Sequence, residues 1–135
     1  MRNKDWGAAL SAYLAGRERT PHRWGPNDCA SFCADGGIGM GCDDLLAGLR
    51  GYKTERGALL KLRRAGIADL ETLCRNRLPE VPVGMAWRGD VALTAADGPF
   101  GGALALFDGA HLVGPGKDHI ERVPRALAIF AFGMR

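Results

Sequence analysis

The sequence predicts an α+β fold in which a helical N-terminal half packs on a small antiparallel sheet. Three observations predict it. Apolar residues recur at helical spacing through roughly the first 77 residues. After Gly84 short apolar runs alternate with tight turns. The two patterns are segregated rather than interleaved, which separates α+β from α/β. At 135 residues the chain has the length of one domain, 1–135, and is long enough to bury a core without disulfide or metal staples.

The elements follow in order. Trp6, Leu10, Tyr13 and Leu14 share one face of a helix over 5–16, with Gly16 as its stop. Pro21 and Pro26 make 17–27 a loop. Asn27 or Asp28 caps a second helix, 28–36, closed by Gly36-Gly37 and carrying Cys29, Phe32 and Cys33 inward. A short helix is expected over Cys42 to Leu49. Thr54 caps another over 55–65, stopped by Gly66, and a last one spans 68–77 before Pro79 and Pro82. Asp90–Thr94, Ala103–Phe107, His111–Val113, Ile120–Val123 and Leu127–Phe132 then read as strands of a meander. Asp108-Gly109 is the strongest hairpin signal among them.

Composition narrows the function classes. The net charge is +3 and the cations are scattered. The basic runs Lys61, Arg63, Arg64 and Arg75, Arg77 read as solvated helix faces. With 3 Trp and 2 Tyr there is no stacking platform, so nucleic acid is not an expected partner. The 4 cysteines, Cys29, Cys33, Cys42 and Cys74, form no zinc-ligand spacing, and no metal is expected. Gly37, Gly39 and Gly41 alternate, but no strand precedes them, so no nucleotide loop and no cofactor are expected. Met1 to Leu14 lacks the apolar run of a signal peptide, and nothing is long enough to span a bilayer. Synthesis in a reducing cytoplasm, free thiols and no membrane insertion are the expectation.

Cys29 is the residue to single out. It lies just inside a helix N-terminus, where unpaired N–H groups and the macrodipole favour a thiolate, the nucleophilic form. Position alone favours the plainer role of a small buried apolar residue. Asp28 reads as the helix cap rather than a catalytic acid, because a negative charge beside the thiol raises its pKa.

The segment Trp24-Gly25-Pro26-Asn27-Asp28-Cys29-Ala30-Ser31-Phe32-Cys33-Ala34-Asp35 resembles the Cys-bearing helix of the NlpC/P60 superfamily of papain-like cell-wall peptidases, with its Y/W-G-x-x-D-C-S-x-F pattern. Gly89-Asp90-Val91-Ala92-Leu93 resembles the G-D-L-V-F strand of the same families. The likeness extends to a small phage-tail and prophage branch, through Trp6, Leu10, Tyr13, Leu14 and Arg17, through Gly51, Tyr52, Thr54, Gly57 and Ala58, and through Arg88 to Leu93. It implies a papain-like fold with Cys29 as nucleophile, and peptidoglycan peptides or phage tail proteins as partners. It also raises incorporation into a phage tail.

The resemblance stops at the base. These peptidases carry a His at the start of the second strand, in an H-V-G-I-Y-x-G-x-G pattern, and Gly101 stands at the matching place here. Of the three histidines, His111 is the substitute to test, since it opens the next strand. His22, before Cys29, reads as a surface loop residue and His119 as a turn residue. Two readings stand side by side. In one, Cys29 with His111 makes a cysteine peptidase or amidase acting on peptidoglycan peptides. In the other, the fold is catalytically inactive and serves as a tail-assembly or tail-tip component.

Overall fold

The computed structural model describes residues 1–135. Four helices precede and cover a six-stranded antiparallel sheet. The helices are α1 (Trp6–Arg17), α2 (Cys29–Gly39), α3 (Glu55–Arg64) and α4 (Leu70–Arg77). The strands are β1 (Glu80–Val81), β2 (Val91–Thr94), β3 (Ala103–Asp108), β4 (His111–Pro115), β5 (Ile120–Pro124) and β6 (Ala128–Phe132). The spatial order is β1-β6-β2-β3-β4-β5. From β2 to β5 the chain runs as the predicted meander. The last strand then returns to lie between β1 and β2, so the sheet is not a pure meander.

Alternation along the strands divides the apolar residues between two faces. Val91, Leu93, Leu104, Leu106 and Val113 join the helices in one core of 23 buried residues. Ala92, Ala105, Phe107, Leu112 and Ala131 form a thinner cluster of five on the opposite face. Helix α2 crosses β3 closely because it has glycines where other residues would collide. A Cβ on Gly36 would lie 2.9 Å from a Leu106 methyl, and one on Gly37 would lie 2.6 Å from the Met134 sulfur. This is why α2 runs on to Gly39 instead of stopping at Gly36-Gly37: these glycines serve close packing, not termination.

One further expectation is corrected, and one strand is added. Residues 42–49 form turns rather than a helix. Asp44 holds this stretch by accepting from Leu46 N–H at 2.9 Å, and Gly48 takes a positive φ of 78° that breaks any helical path. The residues between Pro79 and Pro82, to which the sequence assigns no element, carry β1, which pairs Glu80 with Phe132 and Val81 with Ala131. Two residues between prolines are too short a run to show a strand period.

Asp90 ties the chain ends to the sheet. Its fully buried carboxylate accepts from Trp87 N–H at 2.8 Å and Met134 N–H at 3.1 Å, and pairs with Arg2 at 3.1 Å and Arg135 at 2.8 Å. No helix is long and apolar enough to cross a membrane.

Candidate active site

The loop before α2 is built to present the start of that helix. Asn27 is buried, donates to the Thr20 and Pro21 carbonyls at 3.2 and 3.0 Å, and accepts from Arg17 at 2.9 Å. Asp28 caps the helix. One carboxylate oxygen accepts from Ala30 N–H at 3.1 Å and Ser31 N–H at 2.9 Å, while Ser31 Oγ accepts from Asp28 N–H at 2.9 Å. The other oxygen accepts from Gly25 N–H at 2.9 Å and from the Tyr52 hydroxyl at 2.7 Å. Four donors thus satisfy a carboxylate that is 1% exposed. Gly25 has a φ of 95°, and any Cβ there would run into the Tyr52 carbonyl oxygen. The Trp24-Gly25 segment and the Tyr52 loop therefore close together over the helix start.

Cys29 is the first residue of α2 and opens onto a cleft of about 300 Å³. It is half-buried and reachable from that cleft, yet the protein around it desolvates the sulfur. Burial pushes the thiol up to about 11, and the neighbouring Asp28 charge acts the same way. The backbone N–H groups of Leu104, Ala30 and Cys29 act to lower it, and are outweighed. Behind it, burial also raises the thiols of Cys33 and, to about 12, Cys74. Helix position favours a thiolate here, but desolvation wins.

The histidines are placed as follows. His111 is exposed at the first position of β4, opposite Asp108 and Pro124 in the register. Leu104, which meets Cys29, is four residues along β3 from Asp108, about 13 Å at strand rise. The structure therefore does not bring His111 to Cys29. His119 is exposed beside β5, with Nδ1 2.7 Å from the Ile120 carbonyl oxygen. His22 is exposed but lines the Cys29 cleft, edge-on to Trp24 with ring centroids 5.0 Å apart. Trp24 in turn stacks on Phe100 at 5.7 Å. The sequence allows His22 to lie close to Cys29 in space but favours a surface loop residue. The signal that it belongs to the cleft is its place in a loop tied down by Asn27, directly before the cap.

At the strand start, Gly102 and Ala103 line the cleft. Gly101, the position matched to the family His, is exposed and directed toward Asp69, with a would-be Cβ 3.2 Å from the Asp69 side chain. None of the three residues has a side chain able to take a proton. No cluster of three or more His, Cys, Asp or Glu side chains is arranged to hold a metal ion.

A Cys-headed helix laid across an antiparallel sheet is the papain-like arrangement, and the solved structures bear the class out. The crystal structure of the NlpC/p60 domain of the peptidoglycan hydrolase SagA superposes with a TM-score of 0.59, covering 94% of this chain and 97% of that one. Identity is 17%, so the likeness concerns the fold. Within that class, the family model described as domain of unknown function DUF6950 matches residues 1–134, and the chain belongs to that family. No curated protein matches it.

Proposed function

We propose that this chain is a non-hydrolytic NlpC/P60-like domain that uses the Cys29 cleft to bind rather than to cleave. Its sequence likeness to the phage-tail and prophage branch suggests a tail-assembly or tail-tip setting. One observation carries the reading: a thiol held protonated by burial, with no imidazole against it. Burial favours the protonated thiol, which is a poor nucleophile, and Gly101 at the matched strand position offers no base. The expected outcome is that purified protein releases no new amines or peptides from peptidoglycan, and that wild type and Cys29→Ser give identical traces. Release that depends on Cys29 contradicts the reading.

A second reading is favoured by a separate observation. Cys29 is reachable, has its own N–H and that of Leu104 beside the sulfur as donors to an oxyanion, and shares its cleft with His22. In that reading the chain is a cysteine peptidase or amidase acting on peptidoglycan peptides, the substrate class suggested by its structural neighbour's name. Cys29 attacks the amide carbonyl to form an acyl-enzyme, and an imidazole passes the proton to the leaving amine. His22, not His111, is then the base to mutate.

A further inference from the structure

The lining of the Cys29 cleft says what kind of molecule fits it. Its floor is aliphatic: Leu46, Leu49, Leu62 and Leu70 line the cleft and are each no more than 5% exposed, so the opening reaches into the main core. Its mouth is aromatic, with Trp24 stacked on Phe100. The polar side chains of the inner wall are already committed. Asp28 takes four donors, and the Tyr52 hydroxyl is one of them. No arginine lines the cleft. The single lysine, Lys61, is exposed and shares the lining with the exposed carboxylates Glu55 and Asp97. A ligand bearing several carboxylates finds little counter-charge here. A peptide main chain entering the floor finds no free side chain to satisfy its amides; the Ala30 N–H is already held by Asp28, and the Leu104 and Cys29 N–H groups are at the sulfur.

We propose that the Cys29 cleft is a binding site for an aliphatic chain free of internal polar groups, a medium-length acyl or alkyl chain, with its polar head at the rim beside His22 and Lys61. A volume of about 300 Å³ is at the small end of ligand pockets, which suits one chain rather than a folded lipid. This deepens the reading of the cleft as a binding site and rests on it.

The test is protection of Cys29 from iodoacetamide at one alkaline pH, about pH 9, where enough thiolate forms for slow labelling to be followed by peptide mass spectrometry. The probes are 1-decanol, sodium decanoate and acetyl-Leu-Leu-Leu-amide, with Cys42 as internal control. The two ten-carbon probes should slow Cys29 labelling by about tenfold, as roughly nine-tenths occupancy requires. They should leave Cys42 unaffected, and the capped tripeptide should have no effect. Ala58→Phe, which fills the cleft from α3, should abolish protection. So should Ala96→Trp, which closes the mouth from an exposed loop and leaves the core untouched. The proposal is overturned if neither ten-carbon probe protects, if Cys42 slows equally, if the tripeptide protects and decanol does not, or if both variants keep full protection. Failure here leaves the non-hydrolytic reading in place, because that reading is decided by peptidoglycan release in the Cys29→Ser comparison.

Discussion

At the residue scale the chemistry turns on Asp28 and Cys29. Asp28 is a cap and a lock on Tyr52, and its charge adds to the burial that raises the Cys29 thiol. Tyr52→Phe should cost about 1.5–3 kcal/mol, the range for a hydrogen bond to a charged group, as read from urea unfolding. Asp28→Ala should cost more, since the N–H groups of Gly25, Ala30 and Ser31 lose their acceptor together. The thiols set an alkaline limit. The folded values of Cys29 and Cys74 lie at about 11 and 12, above the ordinary 9.0. The unfolded chain therefore releases these protons first as pH rises, and the native state loses stability from about pH 9 upward through the folded values. Cys29→Ser should make the alkaline slope of the thermal midpoint shallower than in the wild type.

At the element scale the glycines of the helices separate into two kinds. Gly37 is a contact surface, and Gly37→Ala should destabilise by about 1–3 kcal/mol, because Met134 is buried and must repack. Gly16 is not: a Cβ there meets nothing within 4 Å, and Gly16→Ala should stabilise α1 by about 0.5–1 kcal/mol. The sequence could not tell these apart. Gly36-Gly37 looked like a helix stop because a stop and a close crossing use the same residue type. The long periodic elements α1, α3 and α4 were legible, and so were their caps Thr54 at α3 and the acid before α2. Strand β1 was not, since its pairing with β6 is a long-range fact. The candidate site was half legible. Trp24-Gly25 and Asp28-Cys29 could be read from local pattern and family likeness. The distance of His111 depends on the register of β3 with β4, which no local pattern shows, and His22 is held at the cleft by a long-range bond from its N–H to the Gly116 carbonyl at 2.7 Å.

At the scale of the whole molecule, two polar clusters hold the layers together. Asp35 joins Arg17 of α1 to Arg50, which also grips Asp44, so α1, α2 and the turns after α2 are cross-linked at the surface. Asp90 joins both chain ends to β2 from a buried position. Asp90→Ala should cost about 3–5 kcal/mol, because two arginines lose a shared buried partner and Arg2 is left inside the protein. Removing Arg17 from the half-exposed cluster should cost far less, and chemical denaturation of the two variants side by side reads the difference. The central claim, that this scaffold presents a protonated and unpaired cysteine to an apolar cleft, is tested most directly by the pH dependence of Cys29 alkylation in wild type, His22→Ala and His111→Ala. The account predicts one curve for all three proteins, rising only well above the ordinary thiol value of 9.0. A titration below that value that moves upward in His22→Ala or His111→Ala would contradict it and establish a working thiolate–imidazole pair.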